Sequence, residues 1–150
     1  RFGRTVGIGI IIEDLPELHN SVTLDPNMVD TNGIPAPKIT YKMSENTKKM
    51  LVHGLARGKE VMIAAGSSKN LVFGPVRKAG WHLMGTARMG KNPKNSVVNE
   101  WGRSHDISNL FIVDSSIFVT SAGVNPVSTM QALALYIADT MKKNLKTLFN

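Results

Sequence analysis

Apolar residues recur at helical spacing in two stretches of the chain, and residues that favour helix ends bound each stretch. The first begins at Ser44, a good N-cap, and ends before Gly66, which predicts a helix over residues 44–66. The second follows Asn125 and Pro126, which we predict to be its N-cap and its first helical residue. The apolar stripe of this second helix consists of Val127, Met130, Leu133, Ala134, Ile137, Ala138 and Met141.

Strands are predicted where short runs rich in β-branched and apolar residues are bounded by turn residues. In the first half of the chain these runs are residues 5–14, 21–24 and 38–41, and we expect the first two to form a hairpin. In the second half, residues 110–113 are predicted to form a buried strand that ends at Asp114. The pattern as a whole predicts a mixed α+β fold with an antiparallel sheet.

The composition and the kinds of predicted element change near residue 80, where we predict a boundary between two sub-domains. Residues 1–80 contain the predicted sheet and the first helix. Residues 81–150 contain loops, the buried strand and the second helix.

Composition and charge narrow the possible functions only slightly. The hydrophobic fraction of 42% is ordinary for a globular protein, and the absence of cysteine excludes a disulfide framework and a thiolate metal site. The net charge of +7 would suit nucleic acid, but the basic residues are scattered without interleaved aromatics, so we expect no nucleic-acid partner. No run of about 18 apolar residues occurs, so no transmembrane segment is expected.

Three polar residues stand where they could carry chemistry, and each also has a purely structural interpretation. His82 lies in the glycine-rich segment GWHLMGTARMG, residues 80–90, but a lone histidine beside tryptophan is more often packed or exposed than catalytic. Asp114 could simply close a turn, and Asn125 could simply cap a helix. A strand that ends in an acid, followed by a helix opening on Asn-Pro, also favours a cofactor site, because it points backbone N–H groups at the ligand.

Motifs for other chemistries are missing from the sequence. There is no GxSxG nucleophile elbow, no HExxH zinc motif and no P-loop. No pair of histidines has metal-ligand spacing, so we predict no metal site.

The order of several motifs is more specific than any one of them. His-x-x-Gly-Thr-x-Arg-Met-Gly begins at His82, Asn-Leu-Phe-Ile-Val-Asp-x-Ser ends at Ser116, and Asn-Pro-x-x-Thr begins at Asn125, ahead of an alanine-rich helix. This order resembles the C-terminal region of the glucose–methanol–choline (GMC) flavin oxidoreductases. Upstream, EDLPELHNSVTLD at residues 13–25 looks like a hairpin of that family's substrate domain.

The resemblance implies specific roles for residues of this chain. It makes His82 the active-site histidine and Asn125 its catalytic partner. It implies that Asp114, Ser115, Asn125, Pro126 and Val127 bind FAD. It also implies that residues 1–80 belong to the substrate-binding domain. Residues 81–150 would then return to a Rossmann-like FAD domain as its last strand and C-terminal helix, with the GxGxxG segment that holds most of the FAD outside this chain.

The implied reaction is oxidation of a CH–OH group in an alcohol, a sugar or a polyol. His82 would accept the hydroxyl proton, and flavin N5 would accept the hydride. The sequence offers no aromatic cage for a quaternary ammonium substrate, which favours a sugar or polyol. The electron acceptor is left open between oxygen, a quinone and a cytochrome.

Two further matters stay open at the level of sequence. We expect the chain to be part of a longer protein and inactive alone, with any signal for periplasmic export, as opposed to a cytoplasmic location, lying upstream. The alternative to an enzyme is a non-catalytic basic α+β binding module in which His82 is structural.

Overall fold

The computed structural model describes residues 3–75, 80–121 and 123–148, and its architecture is mixed α+β, as predicted. Its elements in chain order are strands β1 (Ser21–Val29) and β2 (Pro35–Thr40), helix α1 (Glu45–Ala64), a 3-10 helix (Ser115–Ile117), helix α2 (Val127–Lys143) and helix α3 (Leu145–Leu148). Between α1 and the 3-10 helix, the described residues form loops joined by backbone hydrogen bonds and isolated β-bridges.

Strands β1 and β2 form an antiparallel hairpin in which Ser21 lies opposite Thr40. The turn between them depends on Gly33, whose N–H donates to the Asp30 carbonyl at 3.1 Å and whose φ of +79° a residue with a Cβ rarely adopts. The antiparallel sheet is therefore confirmed. The predicted partners are wrong, because the hairpin joins the second and third predicted runs instead of the first and second.

Residues 5–14, all of which are described, do not form the predicted strand. Ile10 instead packs against α1 at two helical glycines. A Cβ built on Gly54 would lie 2.9 Å from Ile10 Cγ2, and one built on Gly58 would lie 2.6 Å from Ile10 Cδ1. The β-branched run thus covers a helix face, and no described strand lies beside it to supply ladder hydrogen bonds.

Helix α1 begins and ends where the sequence predicted. The Ser44 hydroxyl accepts a hydrogen bond from the Thr47 N–H at 3.1 Å, which satisfies one free donor of the first turn. Past the other end, Gly66 has a φ of +86°, and its N–H donates to the Ile63 carbonyl at 2.9 Å.

The most buried apolar residues all lie in the second half of the chain. Val98, Ile117 and Ile137 are 0–1% exposed. The partly buried residues around them are Met89, Ile112, Phe118, Leu133 and Met141. The centre of the predicted α2 stripe therefore faces this core, because Leu133, Ile137 and Met141 lie four residues apart.

Residues 110–113 do not form the predicted buried strand. Phe111 makes an isolated bridge to Arg103, while Leu110 and Val113 remain 43% and 39% exposed. The Ile112 N–H donates to the Gly102 carbonyl at 2.8 Å. A strand that is buried on both faces needs neighbours along its length, and in the described chain this run has only a short loop beside it.

The predicted N-cap of α2 is also wrong. The helix begins at Val127, and Pro126, with φ −88° and ψ −4°, occupies the N-cap position without a side-chain hydrogen bond. The Met130 N–H donates to the Pro126 carbonyl at 2.9 Å, which closes the first turn. Asn125 lies one residue further out, beyond the position from which a side chain caps the first turn.

The chain exposes far more surface than a compact protein of its size. Its accessible surface is 11908 Å², whereas a folded monomer of 16.4 kDa exposes about 7,500 Å². Many large apolar residues are exposed, including Trp81 and Leu83 on either side of His82. None of the described helices is long and apolar enough to cross a membrane.

Candidate active site

His82 has the one positive φ, +62°, among the described residues other than glycine. This left-handed conformation costs a residue with a Cβ roughly 1–2 kcal/mol, so the surrounding structure must hold it. The flanking Trp81 and Leu83 are 75% and 73% exposed, whereas His82 is half-buried. Residues held in such conformations cluster at functional sites, which favours a functional role for His82 over a purely structural one.

The segment that follows His82 runs beside the 3-10 helix. The N–H groups of Gly85, Ala87 and Met89 donate to the carbonyls of Ser115, Ser116 and Ile117 at 3.2, 2.9 and 2.8 Å. Gly85 allows this approach, because a Cβ at its position would lie 3.3 Å from the Phe118 carbonyl oxygen and its φ is +84°. Two motifs that are about thirty residues apart in the sequence therefore lie side by side.

A side-chain hydrogen bond strengthens this contact next to the histidine. The Ser115 hydroxyl donates to the Leu83 carbonyl at 2.8 Å. Ser115 is thus bonded to the segment twice, through its hydroxyl to Leu83 and through its carbonyl to Gly85. Because the hydroxyl hydrogen is used, any cofactor contact of this side chain would have to donate to its oxygen.

The Asp114 carboxylate starts the 3-10 helix. It accepts the Ser116 N–H at 2.7 Å, so the interpretation of Asp114 as a turn-closing residue is confirmed. Hydrogen bonds from the Ser116 side chain and backbone hold the pKa of Asp114 below its ordinary value. The carboxylate is exposed, so it stays charged and accessible to a hydroxyl donor.

Asn125, Pro126 and Val127 form the approach to α2. Within the described chain, the Asn125 side chain makes no hydrogen bond, and it is exposed. The first turn of α2 contains no acidic residue and no side-chain cap. Its free N–H groups and the positive end of the helix dipole therefore lie next to Asn125.

The predicted site residues fall into two groups. The hydrogen bonds described above join the His82 segment to Ser115, the residue after Asp114, whereas no described hydrogen bond joins either group to Asn125. Two open grooves of about 430 and 490 Å³, lined in part by Ser44 and by Ile10, include neither His82 nor Asn125.

Sequence reasoning missed Asp14, which joins distant parts of the chain. Its carboxylate accepts hydrogen bonds from the Tyr41 hydroxyl at 2.5 Å and from the Thr47 hydroxyl at 2.9 Å. Its backbone carbonyl accepts one from the Ser121 hydroxyl at 3.3 Å. Ser121 lies four residues before Asn125, so Asp14 links the loop of the candidate site to the start of α1. No local sequence signal marks such a contact, since it depends on the tertiary arrangement.

Two curated relatives are similar to most of this chain. The 2-methyl-1,2-propanediol dehydrogenase of Mycolicibacterium austroafricanum is 41% identical over 139 residues, which is 92% of this chain and 25% of the relative. The fructose dehydrogenase large subunit of Gluconobacter japonicus is 34% identical over 134 residues, 89% of this chain and 24% of the relative. The chain therefore spans about a quarter of the length of these relatives.

A solved structure shares the fold, and a family model covers most of the chain. The crystal structure of pyridoxine 4-oxidase from Mesorbium loti matches with a TM-score of 0.61 at 18% identity, over 87% of this chain and 28% of that one. The family model described as GMC oxidoreductase matches residues 16–134. Since that match includes His82, the Asp114–Ser116 turn and Asn125, the chain that carries this site belongs to the GMC oxidoreductase family.

Proposed function

We propose that this chain forms part of an FAD-dependent enzyme that oxidises a CH–OH group of an alcohol, a sugar or a polyol. Family membership supports this reaction class, and the names of relatives include a diol dehydrogenase and a fructose dehydrogenase subunit. The observation that carries the proposal is the left-handed backbone of His82, held against the turn that follows Asp114.

His82 is the proposed catalytic base. An alcohol that becomes a carbonyl loses its hydroxyl proton and, from the same carbon, a hydrogen with both bonding electrons. The neutral imidazole accepts the proton, and it is the side chain best suited to do so near neutral pH. His82 is half-buried, so part of the residue remains accessible to a substrate.

Asn125 is the proposed partner that stabilises the developing alkoxide. Its amide NH₂ donates a hydrogen bond to the substrate oxygen and does not compete for the proton. Because Pro126 occupies the N-cap position, the Asn125 side chain is not engaged in capping α2. Both its oxygen and its NH₂ are therefore available to substrate or cofactor.

The residues at the start of α2 fit an electron-rich cofactor edge. The N-terminal turn has no acidic side chain and no side-chain cap, so its N–H groups and dipole favour negative charge. The dipole is worth about 0.3–1 kcal/mol when exposed and up to about 2 kcal/mol when partly buried. When bound, FAD supplies the hydride acceptor, N5. Asp114 and Ser115 would approach the cofactor from the 3-10 helix, and Asn125, Pro126 and Val127 from α2.

The domain organisation is part of the same proposal. Residues 1–80 would contribute to a substrate-binding domain, and residues 81–150 would return to a Rossmann-like FAD domain. The exposed apolar surface near His82 supports this division, because such surface is normally covered by other protein. The GxGxxG segment that binds most of the FAD would lie elsewhere in the protein.

Anaerobic bleaching of the flavin tests the proposal. The full-length protein is mixed with a panel of primary alcohols, sugars and polyols without oxygen, and flavin absorbance is recorded. We expect at least one CH–OH substrate to bleach it, and readmission of air to separate oxygen from a quinone or cytochrome as acceptor. A full-length protein that holds no flavin would overturn the proposal in favour of a non-catalytic binding module.

A further inference from the structure

Ser115 makes two hydrogen bonds to the residues that directly follow His82. The Ser115 hydroxyl donates to the Leu83 carbonyl, one residue after His82, at 2.8 Å. The Gly85 N–H donates to the Ser115 carbonyl at 3.2 Å. One residue of the 3-10 helix thus clamps both ends of the short Leu83–Gly85 stretch that leaves the histidine.

We propose that Ser115 is a positioning residue that holds the imidazole of His82 in its catalytic orientation through the Leu83 carbonyl. This inference rests on the proposed function of His82 as the base. It assigns the Ser115 hydroxyl a task other than contact with the cofactor.

Backbone geometry explains why a hydroxyl is needed at this place. The Leu83 carbonyl lies in the peptide that joins Leu83 to Met84, one peptide beyond the one that joins His82 to Leu83. With φ at +62°, His82 is outside the conformations that L-residues favour, so its backbone tends to relax unless bonds to the residues that follow hold the chain in place. The Gly85 bond restrains the far side of the stretch, and the Ser115 hydroxyl restrains the near side.

The 3-10 helix and the core hold Ser115, which donates this hydrogen bond, in place. Ser115 is half-buried at the start of a 3-10 helix, with Asp114 as its N-cap and the fully buried Ile117 as its end. Its position is therefore held by the core, and a displacement of the Leu83 carbonyl, one residue after His82, would break the bond to Ser115. Misplacement of a catalytic group by about 1 Å is enough to cost up to about 100-fold in rate.

The test uses single-turnover flavin reduction in the full-length protein, with a substrate found by anaerobic bleaching. We expect Ser115→Ala to lower the limiting rate constant about 5- to 20-fold, with little change in substrate affinity or in the flavin spectrum. Ser115→Thr, which keeps the hydroxyl, should restore most of the rate. Ser108→Ala is the matched control, because Ser108 is exposed and its hydroxyl makes no hydrogen bond within the described chain.

A double-mutant cycle with His82→Ala separates positioning from an independent effect. If Ser115 acts through His82, then Ser115→Ala has no further effect once the imidazole is gone. An equal loss in both backgrounds would overturn the inference, and so would an unchanged rate in Ser115→Ala. If His82→Ala alone leaves flavin reduction intact, the proposed function of His82 fails first, and the two failures are distinguished.

Should Ser115→Ala fail to fold or to hold flavin, Ser115→Cys keeps the volume and replaces the hydroxyl with a weak donor. We expect this variant to reproduce the loss of rate at normal flavin content. A wild-type rate in the cysteine variant, together with normal substrate affinity, would rule out a role for the hydrogen bond.

Discussion

The Tyr41 hydroxyl donates a hydrogen bond to Asp14 Oδ2 across 2.5 Å and so ties the residue after β2 to the segment before β1. Burial, the hydrogen bond and the negative charge of Asp14 together raise the pKa of Tyr41 to about 12. Ionisation of Tyr41 would place a phenolate against a carboxylate and remove the donor.

This pKa predicts a loss of stability at high pH. Because the folded-state pKa lies above the ordinary value of 10.0, the contribution of Tyr41 is fully present below pH 10 and is lost as pH rises from 10 towards 12. The urea midpoint of the full-length protein should therefore fall more steeply across this range than that of Tyr41→Phe. Lysines titrate in both proteins, so the difference between the two curves isolates Tyr41. Parallel curves would show that the bond does not contribute.

Replacement of His82 tests the catalytic base. In the full-length protein, His82→Ala should slow flavin reduction by substrate at least about 100-fold, since general base catalysis contributes about 10²–10⁴. The bound flavin spectrum should survive, because the segment from Gly85 to Met89 keeps its backbone bonds. His53→Ala is the control, as His53 is an exposed residue of α1. Near-normal reduction by His82→Ala would disprove the assignment.

The position of Asn125 before α2 predicts how Asn125→Ala should affect stability and the rate of flavin reduction. Because Asn125 makes no cap bond to α2, its replacement should leave the thermal midpoint within about 1 °C of the native value. The rate of flavin reduction should fall about 100-fold, at the lower end of the loss of about 10²–10³ caused by removing one donor to a developing oxyanion. Substantial unfolding with an unchanged rate per bound flavin would restore the capping interpretation.

The close contact of Gly54 with Ile10 makes a further prediction. Alanine stabilises an exposed helix interior by about 1 kcal/mol over glycine, but here its Cβ would meet Ile10 Cγ2 at 2.9 Å. A γ-methyl on a β-branched residue moves only with χ1, so the clash is not easily relieved. Gly54→Ala should therefore slow amide exchange in α1 when combined with Ile10→Ala, but not in the native background. Equal effects in both backgrounds would mean that the two residues do not touch.

Local signals predicted the parts of this fold that local chemistry determines. Ser44 and Gly66 were identified as helix ends because capping involves only neighbouring backbone groups. The apolar spacing likewise identified the buried centre of α2 at Ile137. Such features need no knowledge of the rest of the chain.

The errors arose where a distant partner decides the outcome. Residues 5–14 and 110–113 have strand-like composition, but in the described chain they lie against a helix and a loop. A strand needs a neighbouring backbone, and hydrophobic pattern alone does not say what that neighbour is. At α2, we predicted Asn125 as the N-cap and Pro126 as the first helical residue, and each lies one position earlier in the structure. A proline that follows a capping residue can also occupy the N-cap position itself, so the sequence does not distinguish the two arrangements.

The sequence predicted which residues belong to the candidate site. It did not predict the hydrogen bonds that connect them. Motif order identified His82, Asp114 and Asn125 as candidates, and their catalytic and binding roles stay predictions. The bond from Ser115 to Leu83 has no signature in the sequence, since any serine could make it and its partner is a main-chain oxygen. A positive φ at His82 is equally invisible, as it is a property of the folded loop.

The hydrogen bond from Ser121 to the Asp14 carbonyl bears on how this enzyme family can be recombined. Exchange of the proposed substrate-binding part between relatives would be made at the proposed boundary near residue 80. A transferred fragment that ends near residue 80 carries its own residue 14. The backbone carbonyl of that residue must still lie within hydrogen-bonding distance of Ser121 in the recipient protein. Chimeras should therefore tolerate changes in the hairpin turn at 30–33 far better than insertions or deletions next to Asp14, which would move its carbonyl away from Ser121.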